Sequence, residues 1–65
     1  MYRIVIDKRT RKEYLNVSSL WAARSICDNY RFKAKRMGDT LSKFFVEKGN
    51  YNPETHIWET EEVVA

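Results

Sequence analysis

The chain has few of the residues that build covalent, metal or catalytic centres. It contains one cysteine, one histidine and one proline in 65 residues, so an internal disulfide framework and a multi-cysteine zinc site are both excluded. Cys27 falls on the apolar side of a predicted helix, where a small buried thiol is expected, and His56 has no second histidine beside it. No glycine-rich phosphate loop is present. We therefore expect no catalytic residues, no metal and no cofactor.

Long apolar runs are also missing. No stretch reaches the roughly 18 apolar residues that cross a bilayer, and Met1 leads directly into a strand pattern instead of an apolar leader. Hydrophobic residues make up 43% of the chain and charged residues 32%, too apolar for a disordered tail and too charged for a membrane protein. We expect a single cytoplasmic domain, residues 1–65, with a thin core and no membrane contact.

Charge is distributed unevenly along the chain. Residues 1–36 hold ten of the twelve lysines and arginines against three acids, whereas residues 49–65 hold four glutamates and no base. Lysines and arginines that neutralise phosphates release counterions, so a basic segment of this kind is typical of nucleic-acid binding. A solvated surface masked by the acidic tail explains the same pattern. Charge alone leaves both interpretations open.

Alternation of apolar and polar residues predicts short strands over residues 2–7, 13–17 and 55–59. The first two are separated by a basic segment with nothing to drive burial, which predicts an antiparallel hairpin with its loop at residues 8–12. The cluster from Gly49 to Pro53 predicts a turn. Residues 60–65 are expected to fray as an acidic tail.

A helical pattern occupies the middle of the chain. Ser18 and Ser19 can cap a helix, and apolar residues then recur every three or four positions to Met37. The register continues past Gly38, so one long helix or two shorter ones fit, and we favour helices over residues 18–36 and 39–48. The predicted fold class is α+β: a small antiparallel sheet, made of the hairpin and a short C-terminal strand, covered on one face by one or two helices.

Ten cations are candidate nucleic-acid contacts. Four of them lie close together in the hairpin loop. They repel one another there and gain no packing in return, which favours a functional role for them. On the helix, Arg24, Arg31 and Lys35 share one side and form a ridge that could lie against phosphates or in a major groove. A solvated helix surface is the alternative. The full set is Lys8, Arg9, Arg11, Lys12, Arg24, Arg31, Lys33, Lys35, Arg36 and Lys43.

Several short motifs occur in a suggestive order: Val5-Ile6-Asp7, Lys12-Glu13-Tyr14, Ala22-Ala23 and Thr40-Leu41-Ser42-Lys43. This order resembles the nuclease-associated modular DNA-binding domain, which accompanies HNH and GIY-YIG homing endonucleases and occurs in related phage proteins. The resemblance implies a helix-turn-helix-like unit whose recognition helix is residues 39–48, presenting Thr40, Ser42, Lys43 and Glu47. The sixteen residues between Ala23 and Thr40 depart from the tight turn of that family. The basic ridge with the hairpin loop is therefore the alternative surface.

The predicted function is a small non-enzymatic nucleic-acid-binding or regulatory protein of phage or mobile-element type. It would contact mainly phosphates, with DNA favoured over RNA, as a monomer or a homodimer. The alternative is a protein-interaction module or inhibitor that binds a host protein through Trp21, Trp58 or Tyr51. Trp21 lies beside the core register, so a position on the sheet edge, a position over the core and partial exposure are all open. An exposed Trp21 would indicate a protein interface, and we favour a position over the core, the more frequent one for this residue type.

Overall fold

A computed structural model describes all residues 1–65. The elements follow the order β1 (Tyr2–Asp7), β2 (Lys12–Val17), α1 (Leu20–Arg36), β3 (Lys43–Asn52) and β4 (Ile57–Val63). The strands form one antiparallel sheet in the order β2-β1-β3-β4, and α1 packs against one face of it. The predicted α+β class, with one sheet face covered by helix, is confirmed.

The core lies between α1 and the two central strands. Alternation along β1 turns Ile4 and Ile6 toward the helix, where they meet Ala23 and Cys27 of α1 and Val46 of β3, all buried. β1 pairs along its whole length with β2 on one side and β3 on the other. The predicted hairpin is confirmed, and its first strand is the centre of the fold.

Local sequence sets both ends of α1. The Ser19 hydroxyl accepts a hydrogen bond from the Ala22 N–H at the N-terminus, and after Arg36 the chain leaves the helix at Gly38, which adopts a left-handed φ of 73°. Three basic residues lie in the last turn, where cations offset the negative end of the helix dipole. Neither the length nor the hydropathy of α1 would let it cross a bilayer.

The prediction of a second helix over residues 39–48 is wrong, because the chain turns after α1 and forms β3 instead. The Asp39 carboxylate accepts hydrogen bonds from the N–H groups of Leu41 and Ser42, both at 3.0 Å, and this turn redirects the backbone. Phe44 and Val46 then face α1 as alternate residues of a strand. The chain therefore contains one helix, neither the single long one nor the pair considered from the sequence.

The last strand is longer than the predicted 55–59, and residues 60–65 do not fray. β4 runs to Val63, while Thr55 lies in the turn that precedes it. The backbones of Val64 and Ala65 both hydrogen-bond to Val46, at 2.8 and 3.0 Å, and their side chains pack against the core. The reason is that β3, absent from the predicted fold, supplies an edge that the C-terminal residues pair with.

Candidate nucleic-acid interface

Eight of the ten candidate cations lie at one end of the sheet. β1 ends at Asp7, whose neighbours across the sheet are Lys12 on β2 and Lys43 on β3, and the C-terminal end of α1 reaches the same place. A cavity of about 290 Å³ there is lined by residues of the hairpin loop, the last helical turns and the turn before β3, among them Lys8, Lys33 and Asp39. We call this region the basic end; its cations are Lys8, Arg9, Arg11, Lys12, Lys33, Lys35, Arg36 and Lys43.

Two cations of the basic end share one carboxylate. Glu13 lies 3.4 Å from the Lys8 ammonium and 2.9 Å from the Arg11 guanidinium, and all three side chains are solvent-accessible. Exposed ion pairs of this kind contribute about 0–1 kcal/mol, so a phosphate can displace them at little cost. The other six cations form no ion pair within the chain. The basic end therefore carries an excess of unpaired positive charge.

The other two candidates add no free cation to the basic end, because Arg31 borders it but is engaged within the chain and Arg24 lies farther along the helix. Arg31 turns toward β3, where its Nε and Nη2 donate to the Phe44 carbonyl at 3.2 and 2.6 Å, and its Nη1 lies 3.4 Å from Asp28. Arg24 lies beside Trp21 in a shallow groove, roughly 16 Å along the helix axis from Lys35. Arg31 thus fastens the helix to the sheet, and the predicted ridge does not present three equivalent cations.

The recognition helix implied by the family resemblance is not present. Thr40 and Ser42 belong to the turn after α1, and Lys43 and Glu47 lie on β3. Lys43 keeps a place in the candidate interface for a different reason, since it flanks Asp7 at the basic end.

The sheet surface that α1 leaves uncovered is the second part of the candidate interface, and we call it the open face. Its centre is Arg3 of β1, whose Nε lies 2.7 Å from a Glu47 oxygen. The Arg3 guanidinium also lies 4.4 Å from the Tyr14 ring centre and 4.8 Å from that of Trp58. The sequence prediction missed this surface, although alternation already placed Arg3 and Tyr14 away from the core, because β3 was assigned to a helix.

The turn beside the basic end contains Asp39, a carboxyl group whose pKa is lowered in the folded protein. The Ser42 hydroxyl is the largest influence that holds the pKa of Asp39 below its ordinary value of 3.8, followed by the N–H groups of Ser42 and Leu41, and the nearby Lys8 adds to the effect. A lowered pKa means that the folded state favours the ionised carboxylate. Asp39 therefore stays charged at the pH at which phosphates would bind beside it.

The turn should weaken in acid. Because the pKa of Asp39 is lowered on folding, its stabilising contribution is complete above about pH 4 and is lost as the pH falls through the lowered value. An NMR titration of the Asp39 carboxyl should give a pKa below 3.8, and Ser42→Ala should raise it toward that ordinary value. A carboxyl of Asp39 that titrates at or above 3.8 in the unsubstituted protein would contradict this account.

The lone cysteine and histidine are far apart in the fold. Cys27 is fully buried in the core, and burial raises the pKa of its thiol. His56 is exposed in the turn between β3 and β4, with a left-handed φ of 57° and its Nδ1 2.8 Å from the Tyr51 hydroxyl. No group of three potential metal-binding side chains occurs in the structure.

Comparison with known proteins adds no relative. A scan against protein-family models, a search of curated proteins and a search of solved structures each found no match. Function is therefore inferred from the basic end and the open face.

Proposed function

We propose that this protein binds nucleic acid without enzymatic activity and holds phosphates at the basic end. The observation that carries the proposal is the convergence of eight cations from three separate chain segments, against only three carboxylates, Asp7, Glu13 and Asp39. The remaining unpaired acids lie elsewhere, on β4 and the turn before it: Glu54, Glu59, Glu61 and Glu62. A phosphate backbone approaching the basic end meets cations and few competing charges.

The cations are suited to phosphate in two ways. Arg9 and Arg36 carry planar guanidinium groups that can donate two hydrogen bonds to one phosphate, and the lysines act as mobile point charges. The helix end itself repels phosphate, because the C-terminus of α1 carries the negative end of the helix dipole. The side chains of Lys33, Lys35 and Arg36 must therefore supply the attraction there.

A matched pair of double variants tests the basic end. Lys35→Ala with Arg36→Ala should weaken binding of every nucleic acid by at least tenfold at about 50 mM salt and lower the salt slope by about 1.5, since each phosphate contact contributes about 0.7–0.9. Arg24→Ala with Lys48→Ala removes the same charge away from the basic end and should have a much smaller effect. The measurement is fluorescence anisotropy with labelled duplex DNA, single-stranded DNA and RNA at about 50 and 200 mM salt.

Two results would overturn the proposal. Equal losses in the two double variants would show that binding follows net charge alone and not the basic end. Failure of the unsubstituted protein to bind all three probes at about 50 mM salt would remove nucleic acid from consideration.

A second candidate, binding to a protein partner, is favoured by the position of Trp21. Its side chain is 81% exposed on the outer side of α1, so the favoured expectation that it lies over the core is wrong. The helix register left Trp21 outside the buried positions, and no other element reaches it. Phe32, about three helical turns later on the same side of α1, is 62% exposed. Exposed aromatic side chains of this kind are enriched at protein interfaces.

A further inference from the structure

The open face concentrates aromatic side chains. Residues directly opposite each other in neighbouring strands share a face, and this rule places Tyr51 with Trp58, and Phe45 with Val5 and Tyr14. Tyr14 is 52% and Tyr51 is 44% exposed, and the other two rings are half-buried. No helix or loop covers them, so four aromatic rings on one side of the sheet are available to a ligand.

Hydrogen bonds and charge hold these rings in place. Trp58 donates from its indole nitrogen to the Thr60 hydroxyl at 2.9 Å, and the Tyr51 hydroxyl lies 2.8 Å from His56. Arg3, anchored by Glu47, lies against the rings of both Tyr14 and Trp58. A ligand that stacks on rings already held in position loses less conformational entropy on binding.

The acidic residues of β4 avoid the open face. Glu59 lies opposite Asn50 and Glu62 opposite Lys48, positions on the helix side of the sheet, and Glu61 accepts a hydrogen bond from the Asn50 side chain at 3.1 Å. Of the two carboxylates on the open face, Glu47 is paired with Arg3, and Asp7 lies between Lys12 and Lys43. Asp7 forms no ion pair, so a polyanion that passes from the basic end onto the open face meets one unpaired carboxylate, flanked by two cations.

We infer that the open face binds the bases of a single-stranded nucleic acid, which stack on its aromatic rings while the phosphates lie along the Lys12 and Lys43 side of the basic end. This rests on the proposed function and specifies the form of the ligand. Duplex bases are already paired and stacked, so only unpaired bases can reach a surface of this kind. The Tyr14 and Trp58 ring centres lie 4.4 and 4.8 Å from the same Arg3 guanidinium, so bases stack on the ring faces that Arg3 leaves free.

Three probes of about twelve nucleotides separate base stacking from phosphate binding: oligothymidylate, an abasic oligonucleotide with the same phosphates, and a duplex. Oligothymidylate should bind at least tenfold more tightly than the abasic strand and more tightly than the duplex. If oligothymidylate and the abasic strand bind equally, the inference fails and the proposed function stands. If only the duplex binds, the inference again fails and the proposed function stands, and if none of the three probes binds, the proposed function fails as well.

The two tryptophans supply a readout that does not depend on affinity. In a Trp21→Phe protein the remaining fluorescence comes from Trp58, and oligothymidylate should quench it; in a Trp58→Phe protein, Trp21 should not be quenched. Tyr14→Ala should weaken oligothymidylate binding by about tenfold and leave binding of the abasic strand nearly unchanged. Trp21→Ala is the matched control, an exposed ring on the other side of the molecule, and should leave both affinities unchanged.

Two results would overturn the inference directly. Quenching of Trp21 but not Trp58 would place the bases on the outer side of α1. A dimer by sedimentation equilibrium, with Trp58 insensitive to oligothymidylate, would show that a second copy of the chain covers the open face.

Discussion

Replacing Ile4 with alanine is expected to lower the free energy of unfolding by about 2–5 kcal/mol. The Ile4 side chain is fully buried and lies between Leu15 and Val46 on the neighbouring strands, beneath α1. Only six hydrophobic residues of the chain are buried, so few others can compensate. A chain of this length has a total stability of about 3–10 kcal/mol, and the substitution would remove much of it.

Urea denaturation followed by far-UV circular dichroism measures this loss. Ile57→Ala removes the same atoms from a side chain that is 57% exposed at the start of β4, and it should change the stability by less than about 1 kcal/mol. Similar losses in the two variants would mean that the core is not centred on β1.

A methyl group at Gly49 should be almost as damaging, at about 2–4 kcal/mol. Its Cβ would overlap the Glu59 carbonyl oxygen and lie 3.0 Å from the Thr60 Cα, both part of the β4 backbone. Gly49 lies where the pairing of β3 and β4 shifts register, and backbone cannot move aside there without breaking ladder hydrogen bonds. Gly49→Ala should therefore loosen β4 from the sheet.

The second glycine supplies the comparison. An added Cβ at Gly38 meets nothing within 4 Å, but its φ of 73° makes any side chain unfavourable there by about 1–2 kcal/mol. Thermal melts should give Gly49→Ala a lower Tm than Gly38→Ala. Hydrogen exchange should show that the backbone amides of β4 lose more protection in Gly49→Ala. The reverse order would contradict the close approach at Gly49.

The parts of the fold that local sequence determines were predictable. Alternation in residues 2–7 and the helical spacing from Leu20 to Ala34 were sufficient for β1 and α1. β3 was missed because Leu41 and Phe44 continue the helical spacing past Gly38, while the same segment also alternates as a strand. The Asp39 turn and the free edge of β1 decide between the two, and that edge becomes visible only in three dimensions.

The candidate interface also has a part that the sequence predicts and a part that only the three-dimensional fold shows. Composition and spacing identified its cations, but their gathering at one end depends on where α1 finishes and where β3 begins. Sequence spacing could not show that Arg31 bonds to the Phe44 carbonyl. The open face was missed because Tyr51 and Trp58 become neighbours of Arg3 only when β3 and β4 join the sheet.

The separation of charge gives the molecule a large electric dipole. Eight of its twelve cations gather at the basic end, and its unpaired glutamates follow the distant β3–β4 hairpin. The greatest extent of the protein is 40 Å, several Debye lengths at physiological salt. Near a polyanion such a molecule rotates before contact, with its cations leading. On a nucleic acid bound as proposed, copies lying side by side would point the glutamates of β4 away from the strand, and these glutamates would repel a further polyanion.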